Sequence, residues 1–245
     1  MSRLLLLPGW GMENAVWEPI LEDLSQEIQL DSFDWRGVKS LAEFSSRVVT
    51  YLNHQQPKSL ILLGWSLGSL VALDIARQYP SIVSKIILVG GTSRFTALGR
   101  EYEAGWHARI VERMKRQLAR DPDKTLKAFY TSMFSRKELE QGYDHRFLTD
   151  IQTYFEGDDL ESLILGLDYL LQVDYRNALT VQAPILLIHG EEDEICPLGA
   201  ARYISEQAKS AVLRTIPGAG HIPFYTKPGL CLEWMKAFLR GELLD

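Results

Sequence analysis

The sequence predicts an α/β fold in which a mostly parallel sheet carries helices on both faces, with a helical cap inserted between two strands. Short runs of large aliphatic residues alternate along the chain with segments whose apolar residues recur at helical spacing. The connections are short enough for right-handed crossovers between parallel strands. From about residue 92 to residue 177 the strand-like runs stop and only helical periodicity remains. We therefore predict a core of residues 1–91 and 178–245 and a cap of residues 92–177.

Each predicted element rests on its own pattern of apolar residues. Aliphatic runs, or alternation of apolar and polar residues, predict strands at residues 4–7, 28–34, 60–63, 82–90, 184–189 and 211–216. Stripes at helical spacing predict core helices at 17–24, 41–52, 67–79, 198–208 and 230–239. In the cap, similar stripes lie within 106–118, 126–133 and 160–171, and Asp121-Pro122 is typical of a helix start between the first two.

Composition narrows the class of protein. The 245 residues are 46 % hydrophobic and 24 % charged, which is ordinary for a globular chain with one large core. The net charge of −6 argues against a nucleic-acid partner, and no apolar segment approaches the roughly 18 residues that span a bilayer. The segment before the first strand is too short for a signal peptide, and Cys196 and Cys231 have no metal-ligand spacing. We expect a cytoplasmic protein with no metal, no cofactor and no membrane contact.

The motif that carries chemistry is Gly64-Trp65-Ser66-Leu67-Gly68, which directly follows a predicted strand and opens a predicted helix. This context is typical of a nucleophile elbow, a turn so sharp that the residues two before and two after the serine must be small. The turn would expose the Ser66 hydroxyl for attack. The backbone NH of Leu67 would then face the oxygen on which negative charge develops.

Two further strands end in polar residues that could complete a catalytic triad. Asp193 follows the strand 184–189, and His221 follows the strand that ends at residue 216. Because ligands bind outside the carboxyl ends of strands in α/β sheets, we expect Ser66, Asp193 and His221 to meet there. His221 would accept the Ser66 proton, while Asp193 would orient the imidazole and offset its charge. Other acids stay open as the orienting group; they are Glu191, Glu192, Glu194 and Asp34.

The loop after the first strand supplies the second predicted oxyanion donor. Gly9 and Gly11 allow the loop to fold back toward the elbow, which would bring the backbone NH of Trp10 close to the reacting oxygen. Together with Leu67, Trp10 would form the oxyanion hole.

At this point the whole chain resembles an α/β-hydrolase. Gly9-Trp10-Gly11 and the elbow motif are similar to those of the pimeloyl-[acyl-carrier protein] methyl ester esterases of biotin synthesis. The resemblance implies an ester at the end of an acyl chain held on acyl-carrier protein, with Trp10 and Trp65 lining the acyl channel and Phe129 of the cap contacting substrate. The chain departs from the pattern at Pro8, where the superfamily usually has His, and at Ser69, where this family often has a second Gly.

The charges of the cap give weaker support for a carrier-protein partner. Basic residues recur along one predicted helical face and continue past the Pro122 break; they are Arg109, Arg113, Arg116, Arg120, Lys124 and Lys127. An acidic carrier protein could be steered to this half of the cap. The alternative is a solvated helix face with no partner.

The predicted function is therefore a serine carboxylesterase that works through an acyl-enzyme, with the methyl ester of pimeloyl-acyl-carrier protein as the expected substrate. Three alternatives remain on the same sequence. They are a general short- or medium-chain carboxylesterase, a hydrolase of a carbon–carbon bond or thioester on the same triad, and a binding module that retains slow turnover. The serine at position 66 excludes dehalogenases, which need an aspartate there.

Overall fold

A computed structural model describes residues 2–242 and contains one six-stranded sheet in that range. Every strand pair is parallel, and the spatial order is β2-β1-β3-β4-β5-β6. The strands are β1 (Ser2–Leu7), β2 (Gln29–Ser32), β3 (Ser59–Trp65), β4 (Val83–Val89), β5 (Ile185–Gly190) and β6 (Ala211–Ile216). The predicted core also includes residues 1 and 243–245, which lie outside the described residues.

Helices connect these strands and account for most of the remaining chain. They are α1 (Glu18–Ser25), α2 (Glu43–Gln55), α3 (Leu67–Gln78), α4 (Ala108–Arg120), α5 (Pro122–Ser132), α6 (Arg136–Glu140), α7 (Tyr143–Tyr154), α8 (Leu160–Gln172), α9 (Leu198–Gln207), α10 (Pro223–Thr226) and α11 (Pro228–Arg240). Short 3-10 turns occupy residues 14–17, 99–101 and 176–180.

The aliphatic runs form the central strands because helices cover them on both sides. Leu4 to Leu7 of β1 and Leu60 to Leu63 of β3 are almost fully buried. The edge strand β2 pairs with β1 alone and is half-exposed, and it covers four residues where the sequence predicts seven. Predicted fold class and observed architecture agree: a parallel α/β sheet with a helical segment between β4 and β5.

The helical segment between β4 and β5 contains two α-helices that the sequence analysis missed, α6 and α7. Helix α7 does carry an apolar pattern, since Tyr143, Phe147 and Ile151 recur every four residues. The predicted helix at 106–118 begins at Ala108 instead, because Trp106 pairs with Thr96 in an isolated bridge. We use "cap" for residues 92–177, and this division of the chain stays a prediction.

The two ends of the cap are fastened to each other. The backbone NH of Tyr175 donates to the carbonyl of Ser93 at 2.8 Å, and Arg94 Nη1 lies 2.9 Å from Asp174 Oδ2. Hydrogen bonds from Arg176, with a further one from Arg94, lower the pKa of Asp174 to about 2. The cap therefore leaves and re-enters the core at one place.

No helix within residues 2–242 has both the length and the apolar character needed to cross a membrane. The same range holds no group of three or more His, Cys, Asp or Glu side chains arranged to bind a metal ion. Cys196 and Cys231 are buried and not joined in a disulfide.

Candidate active site

Ser66 lies at the sharp turn between β3 and α3. Its backbone has φ 54° and ψ −117°, a conformation that is costly for a residue with a side chain. The turn brings β3, α3 and the end of β1 into close contact: a Cβ on Gly68 would lie 1.9 Å from the carbonyl oxygen of Leu7, and one on Gly64 would lie 2.5 Å from the carbonyl oxygen of Gly68. Only glycine fits at either position, as the elbow requires.

Asp193 and His221 meet at the carboxyl edge of the sheet. His221 Nδ1 lies 2.8 Å from Asp193 Oδ2, and both side chains are buried. The other carboxylate oxygen, Oδ1, accepts hydrogen bonds of 2.8 Å from the backbone NH groups of Ile195 and Cys196. These two donors fix the rotamer of Asp193, which in turn holds the imidazole with its Nε2 free to act.

The rival acids lie elsewhere. Glu191, Glu192 and Glu194 are exposed, and Glu191 Oε1 accepts a hydrogen bond from Thr215. Asp34 Oδ1 accepts from the backbone NH of Arg36 at 3.1 Å and so stabilises its own turn. Asp193 is the carboxylate that contacts His221.

Ser66 and His221 make no hydrogen bond with each other. His221 Nε2 is buried and has no hydrogen-bond partner among the described residues. Ser66 is 4 % exposed and His221 1 % exposed. The Ser66 to His221 proton transfer thus needs an adjustment of side chains, which is common before substrate binds.

The loop after β1 lies against the elbow, as the predicted oxyanion hole requires. A Cβ on Gly9 would be 3.4 Å from Ser66 Cβ, so the backbone leading to Trp10 runs directly beside the nucleophile. Leu67 is the first residue of α3, where backbone NH groups have no acceptor within the helix. The Leu67 NH is therefore free of helix partners beside Ser66, and the Trp10 NH remains the predicted second donor.

Trp10 is held by the cap. Its indole Nε1 donates to the carbonyl of Leu163 in α8 at 2.8 Å, and its ring makes an edge-to-face contact with Phe129 of α5 at 4.9 Å between centroids. Tyr130 Oη donates to the carbonyl of Gly11 at 3.1 Å. The cap thus covers the loop beside the nucleophile.

The structure corrects the predicted role of Trp65. Its side chain is 1 % exposed and packs among Trp17, Phe224 and the His221 ring. Its Nε1 donates to the carbonyl of His221 at 2.9 Å. Trp65 therefore lies in the core beneath the triad, where it supports the His221 backbone, and does not line an open channel.

Two side chains near the triad were not singled out by the sequence analysis. Burial raises the pKa of the Cys196 thiol well above its usual range, while a hydrogen bond with Ser66 opposes that rise. His189 Nε2 lies 2.7 Å from the Cys196 carbonyl and 3.3 Å from Asp193 Oδ2, and burial lowers the pKa of His189. The sequence signal for both residues was their position. His189 lies near the end of β5, before the loop that carries Asp193, and Cys196 lies in the same loop after Asp193.

A groove of about 700 Å³ runs between α4 and α5 and reaches Phe129. Apolar side chains line it, together with one acid, Asp121, and three basic residues that we call the groove rim, Arg113, Arg120 and Lys124. The other three basic residues predicted to contact a carrier protein do not line this groove. Arg116 lines a cavity against α8, Lys127 lines a cavity against α7, and Arg109 is exposed near the start of α4.

Comparison with known proteins agrees with this geometry. A profile of the alpha/beta hydrolase fold matches residues 2–228. The chain belongs to the α/β-hydrolase family. It is 31 % identical over 244 residues to the pimeloyl-[acyl-carrier protein] methyl ester esterase of Vibrio campbellii, covering 94 % of this chain and 92 % of that one. It is also 31 % identical over 230 residues to the esterase of the same name from Nitrosomonas europaea, covering 92 % and 90 %.

A solved structure extends the likeness to the backbone. The esterase EaEST from Exiguobacterium antarcticum superposes with a TM-score of 0.83, covering 98 % of this chain and 92 % of that chain, at 21 % sequence identity. At this identity the match shows the shared fold alone. The predicted resemblance to the pimeloyl-[acyl-carrier protein] methyl ester esterases is confirmed at the level of sequence by the relatives above.

Proposed function

We propose that this protein is a serine esterase that removes the methyl group from the methyl ester of pimeloyl-acyl-carrier protein. The observation that carries the proposal is the buried hydrogen bond between His221 and Asp193 beside the strained Ser66. The names of the relatives support the substrate. The two buried free cysteines support a reducing, cytoplasmic setting.

The mechanism follows from the roles of the three side chains. Ser66 Oγ attacks the ester carbon while His221 Nε2 takes its proton, and the NH groups of Trp10 and Leu67 stabilise the oxyanion. The tetrahedral intermediate collapses, methoxide leaves with the proton from His221 as methanol, and an acyl-enzyme remains. Water, deprotonated by His221, then attacks the acyl carbon. Ser66 recovers the proton as the free carboxylic acid departs.

The groove between α4 and α5 supports a carrier-bound substrate. Its apolar side chains suit a methylene chain, and its basic rim suits the acidic surface of an acyl-carrier protein. We assign Trp10 and Phe129 to contact the acyl chain, because Phe129 both lines the groove and packs against Trp10. Among the six basic residues, we assign carrier contact first to Arg113, Arg120 and Lys124.

The test measures the hydrolysis of three methyl or short-chain esters by the wild-type enzyme and by the Ser66→Ala variant. We expect wild-type enzyme to lower the mass of carrier-bound methyl pimeloyl by one CH₂, and to hydrolyse p-nitrophenyl butyrate and free dimethyl pimelate less efficiently. Ser66→Ala should lose all three activities while folding normally. Equal efficiency on all three esters would favour the general carboxylesterase. Turnover of thioester or carbon–carbon substrates ahead of esters would contradict the reaction class.

A genetic experiment tests the pathway. The gene should restore growth without biotin to a strain that lacks its own esterase of this type, and the Ser66→Ala gene should not. If well-expressed wild-type protein fails to restore growth, the carrier-bound pimeloyl substrate is wrong, even if simple esters are hydrolysed.

A further inference from the structure

The segment that joins α5 to α6 in the cap touches the loop that carries His221. The backbone NH of His221 donates to the carbonyl of Met133 at 2.7 Å. Ser135 Oγ donates to the carbonyl of Gly218 at 2.8 Å. His221, the catalytic base, therefore lies on a loop (residues 218–221) that is hydrogen-bonded directly to the cap.

Glu138 makes the third of these links, and it is a buried acid. Its side chain belongs to α6 and is 1 % exposed. Glu138 Oε2 accepts hydrogen bonds of 2.9 Å from the backbone NH groups of Gly220 and Ser135. Glu138 Oε1 is buried and has no partner among the described residues, so the two bonds to Oε2 must offset the whole cost of burying this carboxylate.

A capping function alone does not account for this arrangement. Ser135 and Glu138 do form a capping box at the start of α6, with Ser135 Oγ accepting from the Glu138 NH at 3.2 Å. A five-residue helix on the surface needs no fully buried acid, however, and the second NH bound by Oε2 comes from a loop 82 positions away in the chain.

The approach of the loop to this segment is as close as backbone permits. A Cβ on Gly220 would lie 2.4 Å from the Met133 carbonyl oxygen and 3.0 Å from Glu138 Oε2. On the other side, Trp65 Nε1 donates to the His221 carbonyl at 2.9 Å. The backbone of His221 is thus hydrogen-bonded to the core through its carbonyl and to the cap through its NH.

We propose that Glu138 is a positioning residue for the reaction: its carboxylate anchors Gly220 to the cap and so sets the imidazole of the adjacent His221 relative to Ser66. This proposal rests on the proposed function, in which His221 is the base. Helix α5 carries Phe129 and ends one residue before Met133. The groove residue Phe129 and the acceptor of the His221 NH therefore belong to one continuous stretch of the cap.

The test compares Glu138→Ala with Glu138→Gln and with Glu140→Ala as the matched control. Glu140 lies on the same helix, but it is exposed, and among residues 2–242 its side chain pairs with Arg136 alone. Assays use p-nitrophenyl butyrate, with active sites titrated so that kcat refers to folded enzyme. We expect Glu138→Ala to lower kcat about 10- to 100-fold with KM within about twofold, because the loss acts on the chemical step.

Glu138→Gln should keep most of kcat, within about threefold, because its amide oxygen can accept from both NH groups. Glu140→Ala should match the wild type. A second readout is the low-field proton signal of His221 Nδ1–H, which we expect to shift or broaden in Glu138→Ala alone. A merely structural acid would lower thermal stability in Glu138→Ala without moving kcat per active site or this signal, and that result would overturn the proposal.

Equal losses in Glu138→Gln and Glu138→Ala would also overturn it, since Gln retains the acceptor. If Glu138→Ala does not fold, Ser135→Ala decides, because it removes the link to Gly218. We expect a three- to tenfold fall in kcat, and an unchanged kcat would count against the proposal. His221→Ala run in the same assay separates the two ideas: retained activity there defeats the proposed function, whereas normal Glu138→Ala activity with inactive His221→Ala defeats only the inference.

Discussion

At the carboxyl edge of the sheet, short hydrogen bonds hold Asp193 and His221 in place. Asp193 accepts two backbone NH groups and contacts His221, and the His221 backbone is bonded on both sides. On the outer face of α4 and α5 the opposite holds. Within residues 2–242, no ion pair includes any of the six basic residues assigned to carrier contact.

The difference reflects what each region must do. A proton transfer fails when a group moves by about 1 Å, so the reacting side chains need fixed geometry. Attraction of a charged partner works over about 10 Å at moderate salt and needs no fixed geometry. Substitutions at the sheet edge should therefore cost far more activity than substitutions on the cap, and they should do so for every substrate.

The largest effect is expected for Asp193→Asn. The amide would place an NH₂ or a neutral oxygen against His221 Nδ1 and favour the wrong imidazole tautomer, so kcat should fall on the order of 10⁴-fold on all esters. Glu192→Gln, at the exposed neighbouring acid, is the control and should stay within about twofold. If kcat of the Asp193→Asn variant falls by less than tenfold, another carboxylate orients the base.

A smaller effect, confined to one substrate, is expected when the groove rim is reversed. Arg113→Glu, Arg120→Glu and Lys124→Glu together should lower kcat/KM on carrier-bound ester about 10- to 100-fold at low salt, and on p-nitrophenyl butyrate less than twofold. Added salt should shrink the difference, because it screens the charges.

The control for this triple variant carries the same change in net charge elsewhere. The control variant changes three exposed residues that lie outside the cap: Lys58→Glu, Arg202→Glu and Lys209→Glu. If this control slows the carrier-bound substrate equally, the effect comes from net charge and the rim has no specific role. Arg116→Glu, on the side of α4 that faces α8, should have little effect by itself.

Phe129→Leu should change affinity for long acyl chains while leaving the chemistry intact. Phe129 lies at the base of the groove and packs on Trp10, so the smaller side chain should raise KM about three- to tenfold for a medium-chain ester and change acetate ester turnover little. Tyr154→Leu, at an exposed aromatic of α7, is the control. An equal change in KM for acetate and medium-chain esters would place Phe129 outside the acyl path.

The smallest effect concerns stability and pH. Burial, with repulsion from Asp159 and Asp34, raises the pKa of Asp158 to about 6. The folded state therefore holds this proton more tightly than the unfolded state, and ionised Asp158 destabilises the fold as pH rises from about 4 to 6. Asp158→Asn should gain about 1 kcal/mol in free energy of unfolding at pH 7, after allowance for partial exposure, and nothing at pH 4. Denaturant titrations at the two pH values measure this, and an equal gain at both would contradict it.

The sequence predicted the sheet because each strand depends on a local pattern. Aliphatic runs form the strands, Ser66 follows β3 directly, and Asp193 and His221 lie in the loops after β5 and β6. The direction of Trp65 was not predictable from its place beside Ser66. Successive residues of a strand point to opposite faces, so a neighbour in sequence need not face the same space.

Glu138 escaped prediction for another reason. It lies in the run Arg136-Lys137-Glu138-Leu139-Glu140, whose composition is typical of an exposed helix. Its partner Gly220 is far away in the chain, and nothing in either local sequence signals the contact. Long-range polar contacts of this kind are set by tertiary packing, and a single sequence carries no pattern for them.

The fastening of the two cap ends has a consequence for how such proteins diversify. Ser93 is bonded to Tyr175, and Arg94 pairs with Asp174 across 80 positions of sequence. Strands β4 and β5 are neighbours through their own ladder. The entropy of closing a chain segment grows only with the logarithm of its length. The length of the segment between these ends can therefore change at little cost to the strands, whereas the stretch from Met133 to Glu138, which holds the His221 loop, must be kept if residues 94–174 are exchanged between hydrolases of different specificity.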